Sequence, residues 1–120
     1  MRENTLRPRE RLRKRQQFLN VFKTGIRKES RHFTCVLVEN SLPWRRLGLT
    51  VGKRTGNAVA RNRVKRELRE YFRCNQAYFP DSTDIVISAR TGAAQLDYTA
   101  LYQELSGILQ PETLQQSDKP

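Results

Sequence analysis

The longest regular pattern in the sequence runs from residue 58 to residue 79, where apolar side chains recur at the spacing of one helix face. Asn57 precedes the pattern and is a favourable N-cap residue, and Pro80 follows it and cannot continue a helix. The apolar stripe consists of Ala60, Val64, Leu68, Tyr71, Phe72, Tyr78 and Phe79. Such a helix is stable in water only when its stripe is buried, so the chain has to supply other elements that cover it.

Shorter patterns predict those elements. In chain order they are a helix over residues 16–23, strands over 32–39, 46–53 and 84–90, and a final helix over 98–109. We expect the first two strands to pair as an antiparallel hairpin. The predicted fold class is α+β, a two-layer sandwich of order α-β-β-α-β-α in which a small mixed sheet packs on helices. We expect one domain over residues 1–110, with residues 1–14 as a basic arm and 111–120 as a disordered tail.

The second predicted strand has an unusual side-chain pattern. Leu47, Leu49 and Val51 alternate along it with Gly48, Thr50 and Gly52. The larger apolar side chains are expected to face the core. The face with two glycines predicts either a weak strand or a place where another group approaches the backbone closely.

The charge of the chain is large and unevenly placed. The formal net charge is +11 at pH 7, and residues 1–73 hold 21 of the 23 Lys and Arg residues but 6 of the 12 acids. A surface that only keeps a protein soluble interleaves the two signs. The segregation therefore favours a surface that binds a polyanion, such as nucleic acid, an anionic membrane or an acidic protein.

The basic residues of the long helix lie opposite its apolar stripe. Segment 53–73 holds 8 basic residues and 2 acids, and six of the eight are arginines. Arginine suits phosphate because its planar guanidinium donates two parallel hydrogen bonds. An ordinary solvated face would pair opposite charges four residues apart, as Arg63–Glu67 and Arg66–Glu70 do. A second run at the same spacing has no acidic partner and favours RNA or DNA as the ligand: Arg61, Lys65, Arg69 and Arg73.

Other functional classes find little support in the sequence. The two cysteines, Cys35 and Cys74, have no CxxC spacing, which favours a reducing cytoplasm over a disulfide framework. No N-terminal apolar region or membrane-length apolar segment occurs, so neither a signal peptide nor a membrane span is expected. His32 is the only histidine and the acids are scattered, so no acid–base pair or metal cluster for a protein nuclease is apparent.

Residues 53–73 read KRTGNAVARNRVKRELREYFR, and this segment resembles the signature of the bacterial ribonuclease P protein component, the small basic subunit of the tRNA-processing ribozyme. The resemblance extends from PRERLRKRQQFLNVF through LGLTVGKR and DIVISAR to the last helix. An Arg-Asn-Arg triplet alone carries no information, whereas the triplet inside a capped helix after a glycine-containing strand is specific. One departure is Thr55, where many family members have an aliphatic residue.

The resemblance implies that the chain is the protein subunit of ribonuclease P, an endoribonuclease that removes the 5′ leader of precursor tRNA. The RNA subunit and its Mg²⁺ ions would perform the cleavage, so we expect no catalytic residue, no metal site and no firmly bound cofactor in the protein. The long helix would bind the catalytic RNA through Arg61, Asn62, Arg63, Lys65, Arg66, Arg69 and Arg73. The resemblance also implies a left-handed β-α-β crossover around this helix, against the usual right-handed rule.

A second surface is implied for the single-stranded 5′ leader, in a cleft between the first helix and the sheet. Aromatic rings with nearby cations suit unpaired nucleotides, because stacking tolerates any base. The residues placed there are Phe18, Phe22, Thr34, Val36, Val38, Lys53, Arg54 and Arg90. Without the resemblance, Phe18 and Phe22 would be assigned to ordinary core packing.

Three alternatives remain from the residues alone. The chain is then a general structured-RNA binder such as a ribosome-associated protein, a duplex-DNA binder that uses the long helix in the major groove, or an autonomous nuclease. The first is supported if removal of the 5′ leader leaves the affinity of the reconstituted complex for precursor tRNA unchanged. The second is supported by competition from duplex DNA, and the third by cleavage with the RNA-free protein.

Overall fold

The computed structural model describes residues 7–109; the first six residues of the predicted arm and the predicted tail lie outside the described residues. The described residues form three α-helices: α1 (Arg15–Thr24), α2 (Ala58–Cys74) and α3 (Tyr98–Leu109). Four strands form one sheet: β1 (Ile26–Glu29), β2 (Phe33–Glu39), β3 (Arg46–Val51) and β4 (Thr83–Ala89). The predicted elements are therefore confirmed, with bounds that differ by up to five residues, and β1 is an additional strand.

The strand order across the sheet is β1-β2-β4-β3. Strand β2 pairs antiparallel with β1 and β4, whereas β3 pairs parallel with β4. The expected hairpin of β2 with β3 is wrong, because β4 lies between them. Strand β4 takes one of the two inner positions because Ile85, Val86 and Ile87 are all fully buried, which requires cover on both faces and both edges. The handedness of the β3-α2-β4 crossover stays a prediction.

Two buried clusters lie on opposite faces of the sheet, because successive strand residues point to alternate faces. The larger cluster includes Ile85 and Ile87 and packs against α2 and α3. The smaller one consists of Leu12, Val21, Val36 and Val86, with Phe18 and Val38 packed against it, and lies beneath α1. The α+β class and the mixed sheet are confirmed. The arrangement differs from the predicted two layers in that α1 covers the face opposite to α2 and α3.

Helix α2 ends at Cys74, five residues before the predicted end. Asn75 terminates it: its backbone N–H bonds the carbonyls of Tyr71 and Phe72, and its side-chain amide donates to Tyr71 O at 2.9 Å. The Asn75 amide oxygen accepts from the Tyr102 hydroxyl at 2.8 Å, so the turn is fixed against α3. Tyr78 and Phe79 follow in a separate short 3₁₀ turn and still reach the core.

Two carboxylates fasten the ends of the sheet. Asp84 is 3% exposed, accepts two hydrogen bonds from Arg46 at 2.8 and 2.7 Å, and accepts one from the Asn40 amide at 2.8 Å. At the other end, Glu104 of α3 accepts from the Ser30 hydroxyl at 2.5 Å and from the His32 backbone N–H, and it bonds the His32 ring at 2.9 Å. Burial alone would raise the pKa of Glu104, but these hydrogen bonds outweigh it and lower that pKa.

The two cysteines lie in the described part of the chain and differ in exposure. Cys35 is buried in β2, Cys74 is exposed, and both are free thiols. Burial raises the pKa of the Cys35 thiol to about 12, so it stays protonated and unreactive at neutral pH. Over residues 7–109, every helix is too short or too polar to cross a bilayer.

Candidate nucleic-acid interface

Helix α2 presents a basic face to solvent because its apolar stripe is fixed against the sheet. Its first turn is capped by the Asn57 side chain, which accepts a hydrogen bond from Ala60 N at 2.9 Å. Val64, Leu68, Tyr71 and Phe72 are the buried residues of the helix, as predicted. On the outer side, Asn62 and Arg66 are exposed, whereas Arg61, Lys65 and Arg69 are half-buried. Within residues 7–109, none of these four cations forms an ion pair.

Two arginines of the predicted RNA face are engaged within the protein. Arg63 pairs with Glu67 at 3.1 Å, as its spacing predicted, and also donates to the carbonyls of Ala94 and Leu96. It therefore ties α2 to the loop that leads into α3. Arg73 pairs with Glu70 at 2.8 Å, so its predicted place in an unpaired run is wrong. Glu70 is bound to Arg73 and Cys74 rather than to the expected Arg66, and the Arg73 hydrogen bond lowers the pKa of Glu70.

A cleft of about 230 Å³ lies between α2, strand β3 and the segment before α1. Lys65 and Arg69 line it from the helix, and Arg11 and Arg13 line it from the chain that precedes α1. The other lining residues are Leu12, Phe18, Leu47, Gly48 and Leu49. The cleft thus brings Phe18, which was assigned to the leader, next to two cations assigned to the catalytic RNA.

Gly48 makes the approach of Phe18 possible. A Cβ atom at this position would lie 2.7 Å from Phe18 Cζ and 3.0 Å from Leu12 Cβ, so the ring rests directly on the strand backbone. This confirms the close approach predicted for the glycine face at Gly48. A Cβ at Gly52 would meet nothing within 4 Å, so the second glycine serves no such contact.

The cations of the cleft repel one another. Burial, followed by the positive charges of Arg11 and Arg66, lowers the pKa of Arg69 below its usual value. The Nε atoms of Arg11 and Arg61 are buried without a hydrogen-bond partner among the described residues. Like charges held together with unsatisfied donors are stabilised by a polyanion, so this face is suited to phosphate groups.

The predicted leader cleft lies on the sheet face that carries α1. Thr34, Val36 and Val38 share that face, as expected from their alternation. Val36 is 1% exposed and packs beneath α1 with Val21, so it supports the helix and cannot form an open floor. Phe22 is 37% exposed, which leaves its ring accessible for stacking.

The three cations assigned to the leader come together at one end of the sheet. Lys53, Arg54 and Arg90 line a single depression, after the ends of β3 and β4. Arg90 also pairs with Glu29 at 3.1 Å and donates to the Thr34 hydroxyl at 3.3 Å, so its position is fixed by the sheet. Lys53 and Arg54 are exposed in the short turn that precedes α2.

Sequence reasoning missed four polar residues of these surfaces. Thr50 and Ser88 are opposite each other in the β3–β4 register, and Ser88 is also opposite Thr34, which gives the α1 side of the sheet a row of hydroxyls. The two-residue alternation of β3 held this signal for Thr50. Arg11 and Arg13 were placed only in a general basic arm, because the contact of that arm with β3 is not local in sequence.

Metal-ligating side chains are scattered in the described part of the chain. Among residues 7–109, no group of three His, Cys, Asp or Glu side chains is placed to hold a metal ion. His32, the single histidine, is bound to Glu104 in a contact that fastens α3 to the turn before β2. The excess of cations on this surface, within the described residues, suits polyanionic ligands.

Comparison with known proteins decides the family. The family model described as Ribonuclease P matches residues 6–112. The chain belongs to the ribonuclease P protein family. The ribonuclease P protein component of Syntrophus aciditrophicus (strain SB) is 45% identical over 112 residues, which covers 93% of this chain and 94% of that protein.

Solved structures of the family have the same fold. The ribonuclease P protein of Staphylococcus aureus superimposes with a TM-score of 0.78 at 30% identity, covering 86% of this chain and 94% of that chain. The ribonuclease P protein of Thermotoga maritima gives a TM-score of 0.74 at 34% identity, covering 83% and 94%. The predicted family and fold are confirmed. The function predicted from them, a protein subunit of the endoribonuclease ribonuclease P in tRNA 5′ processing, is confirmed at the level of the family. Protein components of this family partner with the ribonuclease P RNA.

Proposed function

We propose that this chain binds the catalytic RNA of ribonuclease P through the outer face of α2 and binds the 5′ leader of precursor tRNA on the α1 side of the sheet. The observation that carries the proposal is the set of cations on α2 without ion pairs within the described residues: Arg61, Lys65, Arg66 and Arg69. Arg63 and Arg73 act mainly in fixing the helix and its C-terminal turn, since both are paired with glutamates.

The leader assignment is supported by the exposed Phe22 ring and by the cations at the end of the same sheet. Stacking of an unpaired base on an aromatic ring is worth about 1–3 kcal/mol and does not depend on the base. Lys53, Arg54 and Arg90 add phosphate contacts at the end of the hydroxyl row. A single-stranded leader of any sequence is the ligand that this combination suits best.

The chemistry is assigned to the RNA subunit. The described residues supply no set of metal donors, so the Mg²⁺ ions required for cleavage are proposed to be held by RNA rather than by this protein. The protein tightens substrate binding and screens phosphate repulsion, which lowers the Mg²⁺ concentration that the RNA needs. The free thiols of Cys35 and Cys74 suit a reducing compartment, and we propose the cytoplasm.

Reconstitution with a bacterial ribonuclease P RNA tests the proposal. At a Mg²⁺ concentration too low for the RNA alone, the wild-type protein is expected to restore cleavage of precursor tRNA at the mature 5′ end. Failure to restore it would refute the assigned function. Cleavage by the protein without RNA would support the autonomous nuclease instead, and displacement of the RNA by duplex DNA would support the DNA-binding alternative.

The leader surface is tested separately with Phe22→Ala. This variant is expected to weaken binding of precursor tRNA to the reconstituted complex by about tenfold, the equivalent of one lost stack, and to leave mature tRNA unaffected. Leu19→Ala is the matched control, because Leu19 lies on the same helix and is 50% exposed. Equal losses for precursor and mature tRNA would show that Phe22 acts in packing.

A further inference from the structure

The described part of the basic arm, residues 7–14, does not lie free but is attached along the outer edge of β3. Arg11 forms a parallel bridge with Leu47, and Leu12 N donates to Leu47 O at 3.0 Å. Leu12 is 5% exposed and belongs to the cluster beneath α1. Because the backbone is extended at Arg11, the neighbours of Leu12 point away from that cluster and toward the solvent side.

Trp44 holds the start of this segment. Its indole Nε1 donates to the carbonyl oxygen of Arg9 at 2.8 Å, and the Arg9 guanidinium lies 4.5 Å from the centre of the Trp44 ring. A cation over an indole and a hydrogen bond to the same residue fix both its backbone and its side chain. The loop before β3 therefore clamps Arg9, two residues before the bridge with Leu47.

The clamped segment divides two adjoining basic hollows. Toward α2 lies the 230 Å³ cleft, which Arg11 and Arg13 share with Lys65 and Arg69. Toward Trp44 lies a second hollow, which Arg11 and Arg13 share with Arg9, Lys14 and Arg46. None of the described residues that line either hollow is acidic. Arg46 is already neutralised by Asp84, whereas the buried Nε of Arg11 has no hydrogen-bond partner among the described residues.

We propose that the arm and α2 together form one site for an RNA strand, with Arg11 and Arg13 on one wall and Lys65 and Arg69 on the other, and that Trp44 is the positioning residue that holds the arm in place. The inference rests on the proposed function of α2 in binding RNA and extends it to the arm. The ligand is a phosphodiester backbone, since four cations with no acid among the described lining residues attract the negatively charged phosphates. The Phe18 ring on Gly48 supplies an apolar floor against which a sugar or base packs.

Pre-organisation is the physical reason for the clamp. A loose arm with the same arginines would lose conformational freedom on binding, and each immobilised long side chain costs about 0.5–1.5 kcal/mol. An arm that is already attached to β3 and Trp44 has lost part of that freedom during folding. Removal of Trp44 should therefore weaken RNA binding although Trp44 itself carries no charge.

The salt dependence of binding to the catalytic RNA measures the number of phosphate contacts. Each contact contributes about 0.7–0.9 to the slope of log affinity against log salt. Arg13→Gln is expected to lower the slope by roughly that amount. Trp44→Ala is expected to lower it by about 1.5, because the contacts of Arg11 and Arg13 are lost together. Arg31→Gln is the matched control, since Arg31 is exposed and lies in the turn before β2, and it is expected to keep the wild-type slope.

A double-mutant cycle distinguishes positioning from a general loss of structure. If Trp44 acts through the arm, Arg13→Gln has little further effect on the slope in the Trp44→Ala background. Trp44→Phe repeats the measurement with a smaller change, because it keeps a ring for Arg9 and removes only the N–H donor. Wild-type slopes in both Trp44 variants, additive effects in the cycle, or equal losses in Arg13→Gln and Arg31→Gln would each overturn the inference.

The same variants identify which RNA supplies the strand. A lower slope with catalytic RNA alone assigns the site to that RNA, whereas a change only in the difference between precursor and mature tRNA assigns it to the leader. No change with either RNA refutes the site. If the wild-type protein restores cleavage at low Mg²⁺ while the arm variants bind as Arg31→Gln does, this inference fails and the proposed function stands. If the wild-type protein restores nothing, the proposed function itself has failed.

Discussion

Replacement of Gly48 by alanine tests how the cleft is built. The added Cβ would lie 2.7 and 2.8 Å from two atoms of the Phe18 ring and 3.0 Å from Leu12 Cβ. Carbon atoms in contact are ordinarily about 3.5–4.0 Å apart, so the ring and the arm have to move by roughly 1 Å. Overpacking of this kind costs about 1–3 kcal/mol. We expect Gly48→Ala to lower the free energy of unfolding by that amount.

Urea unfolding followed by far-UV circular dichroism measures the change. The midpoint is expected to fall while the slope with urea stays constant, because the surface exposed on unfolding is nearly unchanged. In a thermal scan the same loss corresponds to about 4 °C per kcal/mol for a domain of this size.

Two companion variants show whether the clash is the cause. Gly52→Ala adds the same methyl group just after the end of β3, where nothing lies within 4 Å, and its φ of −86° suits alanine, so it is expected to be neutral or slightly stabilising. Phe18→Leu in the Gly48→Ala background should recover part of the loss, because the smaller side chain leaves space for the methyl group. A Gly48→Ala protein within about 0.5 kcal/mol of wild type would refute the reasoning, because that range is typical of changes without a structural cause.

Two further predictions concern the carboxylates that fasten the sheet. Asp84→Ala is expected to cost about 3–5 kcal/mol in urea unfolding, because it leaves Arg46 and Asn40 without their buried acceptor. Asp81→Ala, which removes an 82% exposed partner of Arg45, should cost less than about 1 kcal/mol, and equal losses would contradict the role of burial. Glu104→Gln is expected to cost about 1–3 kcal/mol at pH 7, because the ionised carboxylate accepts hydrogen bonds from Ser30 and His32. Since folding lowers the pKa of Glu104, its stabilisation is complete above the unfolded value of about 4.3 and disappears as pH falls through the folded pKa; an unfolding difference that persists unchanged at pH 3 would contradict this.

The helices and most strand positions could be predicted from the sequence because their patterns are local. The stripe of α2 and the bounds of α3 agree with the structure to within a few residues. The end of α2 at Asn75 is the exception. The Asn75 side chain donates a hydrogen bond to the Tyr71 carbonyl and accepts one from the Tyr102 hydroxyl, and only the second partner is distant in sequence. A periodicity that continues through Tyr78 therefore predicted a longer helix than the chain forms.

Strand order and β1 could not be predicted because they depend on which strand needs cover on both faces. Ile26–Glu29 contains three charged residues in four and resembles a loop, yet charged side chains are what an exposed edge strand requires. Because β4 pairs with both β2 and β3, its continuous apolar run is buried. A hairpin of β2 with β3 would have left that run partly exposed.

In the candidate site too, features that follow from local spacing could be predicted, and contacts between distant segments could not. The spacing of α2 placed the cations on the correct helix face, and Arg66 and Arg69 remain without acidic partners among the described residues. The same spacing cannot show that a loop thirty residues away offers its carbonyls to Arg63. Contacts between distant segments decide which arginine is available to RNA. The position of a residue around the helix does not reveal these contacts.

The attachment of the arm to β3 serves the fold as well as the proposed site. Strand β3 lies at the edge of the sheet, and an uncovered edge exposes backbone donors and acceptors that promote association between chains. The bond from Leu12 N to Leu47 O and the burial of Leu12 cover part of that edge. The segment that protects the sheet is therefore also the one that carries Arg11 and Arg13 to α2. Loss of the Trp44 clamp should then have two linked consequences, weaker binding of RNA and a more exposed β3 edge, whereas removal of the charge of Arg13 should have only the first.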